Sequence, residues 1–490
     1  MFVVMVASEC APVAKVGGLA DVVYGLSREL EIRGNAVEII LPKYDCMRYD
    51  LIWDLQISFQ NLLVPWYNDD IPCTVWFGHM QGRKCFFIEP HSVDNFFNRG
   101  SYYGSQDEHI RFAFFSKAAM EFLYQSGKRP DVIHTHDWQT ALVPVLLYEL
   151  YQHRGMQNQR VCHTIHNFKH QGISDIDILR ATGLNRPDYF LQPNRLQDNF
   201  NHQALNFTKG AITYANFVTT VSPTHAQEVL SSDQSYGLGS TLSWFSQKFG
   251  GVLNGLDYDM WNPEADPHLC YPYNVHELHG KYANKQALRG RLMLRDAFKP
   301  LIAYVGRLDM QKGIHLIRHA IFYALEQSAQ FVLLGSSPEE GISKEFWHLK
   351  HMLNDNPDCH LEIGYDEDLA HLIYAGSDMM VVPSLYEPCG LTQMIALRYG
   401  SVPIVRAIGG LVDTVFDRDY SAKPTELRNG YVFHQADFTG IESAMSRCIG
   451  LWYHNPEDFR QLLRQGMAYD YSWNHPGGNY MNIYQYIRHK

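Results

Sequence analysis

Three things are scarce in this sequence, and each scarcity narrows what the chain does. No apolar run comes near the roughly 20 residues that a membrane-spanning helix needs, so no membrane partner is expected. Positive charge is in deficit: 41 Lys and Arg stand against 52 Asp and Glu, a net charge of -11. A body of that sign repels nucleic-acid backbones, so any phosphate site must be a local basic cluster on an acidic protein. The nine cysteines are scattered, with no C-x-x-C pair. They read as reduced, mostly buried thiols of a cytosol-like compartment. The N-terminus lacks the charged flank, apolar core and cleavage site of a signal peptide. Either the protein works where it is made, or a targeting segment lies outside this sequence.

What is present reads as a soluble globular enzyme, with 46% hydrophobic and 19% charged residues. At 490 residues the chain is too long for one ordinary core and predicts two large domains or more. An apolar run at 2–7 is followed by the loop Lys15-Val16-Gly17-Gly18-Leu19, a helix-patterned stretch at 19–33 and a second apolar run at 36–41. That is a βαβ unit. Its glycines allow close backbone approach, its helix start offers N–H groups and Lys15 adds a charge, a combination suited to a phosphorylated ligand. Further strands are expected at 85–88, 131–134, 161–165 and 217–221, and helices at 111–125 and 140–152. The turn-rich stretch from Asn254 to Pro263 marks a boundary, with irregular chain expected to about residue 284. The alternation then restarts, with strands at 301–306, 331–335, 379–383 and 402–405 and helices to about 327 and at 391–399. The expected fold is α/β: two facing Rossmann-like domains, 1–253 and 254–475, with a deep cleft between them. A helix within 476–490 is expected to join the first domain.

In the second half, Arg307 lies just after a strand and Lys312 just before a helix. Gathered with Lys15 around two phosphates, they would neutralise a diphosphate without a metal. The alternative is three solvated surface cations. Glu387-Pro388-Cys389-Gly390-Leu391-Thr392-Gln393 opens a helix after another strand. It reads equally as a binder of phosphate and sugar hydroxyls or as a plain helix cap. His134-Thr135-His136-Asp137-Trp138 and His163-Thr164-Ile165-His166-Asn167 both end apolar runs. Their histidines invite a metal reading, but no carboxylate or cysteine spacing completes one, so none is assigned. The D-x-D strings at Asp175 and Asp257 read as turns. Trp138 and Tyr365 stand beside motifs, where one is suited to stack on a sugar and the other on a base, unless both only line a wall.

Taken in order, these strings resemble the starch and glycogen synthases of bacteria and plants, over nearly the whole chain. The marks are 15–21, His136-Asp137-Trp138, His166-Asn167, 254–263, Arg307 with Gln311-Lys312-Gly313, and 387–393. Lys-Val-Gly-Gly-Leu, Leu41-Pro42-Lys43-Tyr44-Asp45-Cys46 and Leu316-Ile317-Arg318-His319-Ala320 are similar to the soluble starch synthase III and IV branch and its cyanobacterial relatives. The resemblance implies the GT-B fold and retaining transfer of glucose from ADP-glucose to the non-reducing-end 4-hydroxyl of an α-1,4-glucan (glycogen, starch or maltooligosaccharide). It implies no metal and no cofactor beyond ADP-glucose as co-substrate, in a bacterial cytoplasm or a plastid stroma. Lys15, the Gly17 and Gly18 amides, Arg307 and Lys312 would hold the diphosphate. Tyr365 would pack on adenine, Asp21 would lie near the nucleotide, Thr392 would reach a phosphate, and Leu391 would belong to the donor site. Glu387, His166, Asn254 and the Cys389-Gly390 backbone would hold the donor glucose. Glu9, Asp137 and Trp138 would shape the acceptor side.

The chain departs from the family pattern in two places: Ala20 replaces a usual glycine and His170 stands where Tyr is usual. Ile395 occupies a position that carries a second Glu in related retaining transferases, which fits the starch synthase pattern better than a sucrose-synthase-like one. Closure of the domains is expected, with the turn near Asn254 as hinge. The competing readings are another nucleotide-sugar transferase, a phosphorylase with lysine-bound pyridoxal phosphate, or an idle glucan-binding protein.

Overall fold

The structure is a computed structural model that describes residues 1–490. The chain forms two compact units, Met1–Gly255 with Trp473–Lys490, and Leu256–Ser472.

The first unit is built on eleven strands: β1 Phe2–Val6, β2 Ala36–Pro42, β3 Trp53–Trp66, β4 Asp69–Met80, β5 Arg83–Pro90, β6 Val132–His136, β7 Arg160–Ile165, β8 Ile173–Ser174, β9 Leu205–Asn206, β10 Phe217–Thr220 and β11 Phe249–Gly251. Nine of them make one sheet in the order β11-β10-β7-β6-β1-β2-β5-β4-β3, and β8 pairs only with β9. The seven strands from β11 to β5 run parallel. β4 and β3 add an antiparallel margin. Val3 to Val6 and all of β6 are buried, as strands covered on both faces must be. The chain moves outward from β1 to β2 and then returns to place β6 on the other side, so the order reverses between β1 and β6. Ligands of such sheets bind beyond the carboxyl ends of the strands at that reversal.

The second unit has β12 Leu301–Arg307, β13 Gln330–Ser336, β14 Cys359–Ile363, β15 Met379–Val382, β16 Val402–Arg406 and β17 Tyr431–Phe433. All are parallel, in the order β14-β13-β12-β15-β16-β17, with the reversal between β12 and β15.

Several expectations need correction. The helix expected at 140–152 breaks into a short α-helix at Leu142–Leu146, a π-helical turn at Leu147–Tyr151 and a 3-10 turn at Gln152–Arg154. The stretch expected to be irregular to about 284 already contains the start of a helix, His279–Leu292. Pro476-Gly477-Gly478 does not precede the last helix but lies in the first turns of Asn474–Arg488. Proline is tolerated there because those N–H groups have no intrahelical partner. Gly477 is required: a Cβ would stand 2.4 Å from Glu29 Cγ. Tyr480, Tyr484 and Ile487 of this helix are fully buried in the core of the first unit. No helix is long and apolar enough to cross a membrane.

Candidate functional site

In the first unit the loop after β1 is organised from below by Glu9, which is buried. Its Oε2 accepts the amides of Val16 at 2.7 Å and Gly17 at 3.0 Å. Tyr103 donates its hydroxyl to Oε1 at 2.6 Å. The Gly17 amide, expected to face a diphosphate, is therefore engaged by Glu9 in this conformation. Lys15 Nζ lies 2.8 Å from Asp21 Oδ1, in the first turn of the helix Gly18–Ile32.

Across the reversal, β6 ends in His136 and Asp137. Asp137 holds a positive φ of 56° and donates its amide to the Thr164 carbonyl at 2.9 Å. Its Oδ1 accepts the amides of His166 at 2.7 Å and Asn167 at 3.4 Å, so it fixes the turn that ends β7. Burial pushes the Asp137 carboxyl up to about 7. Trp138 is only 9% exposed. Its ring meets Phe112 edge-on at 5.5 Å, and it covers Gly172 so closely that a Cβ there would fall 2.7 Å from Trp138 Cε3. The indole is part of a wall rather than an open stacking surface.

The histidines form a buried chain of hydrogen bonds. Tyr484 OH lies 2.6 Å from His134 Nδ1, and His134 Nε2 lies 2.7 Å from Thr164 Oγ1. The rings of His134 and His136 are 4.2 Å apart. His136 Nδ1 meets His166 Nε2 at 3.1 Å, and His163 Nδ1 meets Thr135 Oγ1 at 2.8 Å. Burial holds His134 and His136 well below the usual imidazole value and lowers His163 and His166 to about 3. All four are neutral at working pH, so one N–H lies between His136 Nδ1 and His166 Nε2 and the pair acts by hydrogen bonding rather than by charge. Asn254 is buried, with its Oδ1 lacking any hydrogen-bond partner.

In the second unit β12 ends at Arg307, whose side chain is 62% exposed and lies 3.4 Å from Asp309 Oδ2. Asp309 Oδ1 accepts the Lys312 amide at 3.0 Å and so caps the 3-10 turn Met310–Lys312. That turn is docked on the end of β15: the Leu385 amide donates to Gln311 O at 2.7 Å, and a Cβ on Gly313 would stand 2.4 Å from Pro383 O. Lys312 Nζ then reaches Glu387 Oε2 at 2.5 Å, and Ser384 Oγ donates to the same oxygen at 2.8 Å. The loop bearing Glu387 rests on Gly409 and Gly410, where Cβ atoms would fall 2.0 Å from Glu387 O and 2.2 Å from Cys389 O. Gln393 Nε2 donates to the carbonyls of Cys389 at 3.0 Å and Gly390 at 2.9 Å. Leu391 is partly buried, Thr392 hydrogen-bonds Tyr374, and Tyr365 is 83% exposed.

The structure thus brings Glu9 to Gly17, Asp137 to His166, and Lys312 to Glu387. Sequence reasoning missed Tyr103, Ser384, the His136 contact to His166 and the Gly409-Gly410 support. Only the last carried a local signal, a glycine pair following a strand. Asp266, His268 and His371 also lie close enough together to suggest a metal. However, His371 Nδ1 and Tyr399 OH sit 2.7 and 2.5 Å from Asp266 Oδ2. Ligands of a tetrahedral zinc stand about 3.3 Å apart, so these separations describe hydrogen bonds. With Trp261 stacked on His371 at 4.2 Å, the group is a structural brace.

Known proteins are similar to this chain over at least 99% of its length. Residues 2–244 match the starch synthase catalytic domain, and residues 294–461 match the glycosyl transferases group 1. Glycogen synthase 2 of Methylococcus capsulatus is 64% identical over 99% of this chain and all of its own. Glycogen synthase 1 of Trichormus variabilis is 64% identical over the full length of both. The catalytic domain of starch synthase IV from Arabidopsis thaliana, solved bound to ADP and acarbose, superposes with a TM-score of 0.96 at 46% identity, covering 100% of this chain and 99% of its own. Sucrose-phosphate synthase of Thermosynechococcus elongatus, 18% identical with a TM-score of 0.60 over 99% and 98% of the two chains, shares the fold. Full-length identity at this level, on two parallel-sheet units with charged loops at both strand-order reversals, means that this chain belongs to the glycogen and starch synthases, glycosyltransferases of the GT-B fold.

Proposed function

We propose that this protein moves glucose from ADP-glucose to the non-reducing-end 4-hydroxyl of an α-1,4-glucan, with retention of the anomeric configuration. The observation that carries this reading is the placement of Lys15, Asp137, Arg307, Lys312 and Glu387 on loops beyond the carboxyl ends of the strands flanking the two reversals. Arg307 and Lys312, at and just after the end of β12 in the second unit, act on the diphosphate. They supply the positive charge that a divalent metal provides in other transferases.

In the transfer step, the bond from the sugar C1 to the ADP oxygen breaks and the acceptor oxygen bonds to C1 from the same face. The departing phosphate oxygen takes the acceptor's proton. Lys312 stabilises the negative charge that develops on ADP, and Glu387, held by Lys312 and Ser384, accepts hydrogen bonds from glucose hydroxyls. His166 is neutral, so it contributes dipoles and hydrogen bonds rather than charge to the cationic sugar. Asp137 keeps the His166 backbone in register by accepting its amide. Tyr365, which is largely exposed, packs on the adenine.

The test is transfer of labelled glucose into glycogen from ADP-glucose and from UDP-glucose, each with and without EDTA. Efficient transfer from ADP-glucose that survives EDTA is expected. Loss of transfer on chelation, restored by a divalent cation, would overturn the metal-free mechanism.

A further inference from the structure

Phe200 is an exposed ring on a tightly tied loop. It is 79% exposed. Asp198 Oδ1 accepts the amides of Phe200 at 3.0 Å and Asn201 at 2.7 Å. Asn199 Nδ2 donates to Gly237 O at 2.7 Å and Thr241 Oγ1 at 3.2 Å. Lys209 Nζ donates to Asn199 Oδ1 and to Gln197 O, both at 2.6 Å. The ring lies on Gly237: a Cβ there would fall 2.2 Å from Phe200 Cε2 and 2.5 Å from Cζ. Gly237 also has a φ of +94°, so both backbone and space call for glycine. The ring therefore rests one side on bare backbone and leaves the rest to solvent.

The neighbouring Tyr236 is 38% exposed and left-handed, at φ 48° and ψ 42°. Its carbonyl accepts Gln171 Nε2 at 3.1 Å, and Gln171 Nε2 also donates to Phe168 O at 2.8 Å. Gln171 Oε1 in turn accepts Asn206 Nδ2 at 2.6 Å. The two rings are thereby fastened to the loop that runs on from His166 and Asn167.

A single exposed apolar residue is ordinary. An exposed ring whose loop is ordered by buried polar groups is not, because ordering costs entropy and this ring recovers little by burial. What it presents is a flat apolar face with exposed polar neighbours, His202 and Gln203. A pyranose has matching chemistry: an apolar C–H face rimmed by hydroxyls that donate and accept. Stacked nucleobases fit less well, since the protein carries a net charge of -11 and its loop here presents amides rather than cations.

We propose that Phe200, with Tyr236, is a stacking platform for the α-1,4-glucan acceptor, gripping sugars beyond the reacting end. It rests on the glucan-elongating reading given above. The test compares wild type, Phe200→Ala, Phe200→Trp and, as a control, Trp53→Ala, which removes another exposed ring, at 67%, from the far margin of the sheet. Two readouts are needed: retardation of the full chain in gels containing glycogen, and the KM values for glycogen and for ADP-glucose.

Phe200→Ala is expected to raise the glycogen KM about tenfold and to lose most of the retardation, with the ADP-glucose KM unmoved and the melting temperature kept. Phe200→Trp restores binding, and Trp53→Ala matches wild type. Equal retardation of wild type and Phe200→Ala, or none of wild type, overturns the platform whatever the turnover. Phe200-dependent retardation of a chain that transfers no glucose would leave the platform standing and sink the catalytic reading instead.

Discussion

The carboxylate of Asp137 accepts the backbone amide of His166 at 2.7 Å and thereby ties the end of β6 to the end of β7. Burial raises this carboxyl from 3.8 to about 7. A group raised in the folded state favours folding while protonated. That contribution is complete below about pH 4 and is lost as the pH rises through 7. Asp137→Asn retains an acceptor oxygen without the charge. Its melting temperature is expected to match wild type below about pH 4 and to exceed it at pH 7.5, by the equivalent of roughly 3 kcal/mol. Thermal unfolding across that range checks it; a gap that shrinks toward neutral pH counts against the assignment.

Lys312 and Glu387 meet at 2.5 Å, and Arg307 stands one strand-end away beside Asp309. Arg307→Ala and Lys312→Ala are each expected to slow turnover by roughly 10²–10³-fold while the fold survives, the usual loss for one transition-state charge partner. Lys312→Ala also strips Glu387 of its cation and is expected to be the less stable of the two. Steady-state kinetics and melting curves separate these effects, and near-normal rates in both variants would remove the charge model.

One N–H bridges His136 Nδ1 and His166 Nε2 in a partly buried contact. Imidazole 15N spectra are expected to show one fixed, neutral tautomer for His166 from pH 8 down to pH 5. A titration of His166 midway through that range would contradict the burial seen here.

Gly172 sits at φ +67° under Trp138, with room for no side chain. Gly172→Ala combines backbone strain with a clash and is expected to cost about 2 kcal/mol or more. Displacement of the indole should also shift tryptophan fluorescence. An unaltered spectrum with unaltered stability would show that the wall is softer than its geometry implies.

Glycine punctuation and continuous apolar runs made much of the fold legible. The β1–loop–helix–β2 unit is legible to within a residue or two because Val3 to Val6 is unbroken and Gly17-Gly18 mark the turn. The β3–β4 hairpin is not legible in the same way. Its outer strand is largely exposed, and Asp54 and Asn61 take positive φ where its register slips, so alternation fails. β14 and β17 escaped for related reasons, one mixing His and Glu into its run and the other only three residues long.

In the site, the motif-bearing residues stood out, but their supports did not. Tyr103 joins Glu9 across 94 positions, and Tyr484 joins His134 across 350. No local pattern records such a pairing. Trp138 was ambiguous from sequence for the same reason, since only the packing of Phe112 and Gly172 makes it a wall.

The return of Trp473–Lys490 to the first unit separates the order of synthesis from the order of folding. During translation the second unit has all its strands while the first still lacks Tyr480, Tyr484 and Ile487. Until the final segment leaves the ribosome, His134 has no phenol to bond and the β6–β7 face stays uncovered. A late premature stop codon would therefore injure the half of the protein that was made first.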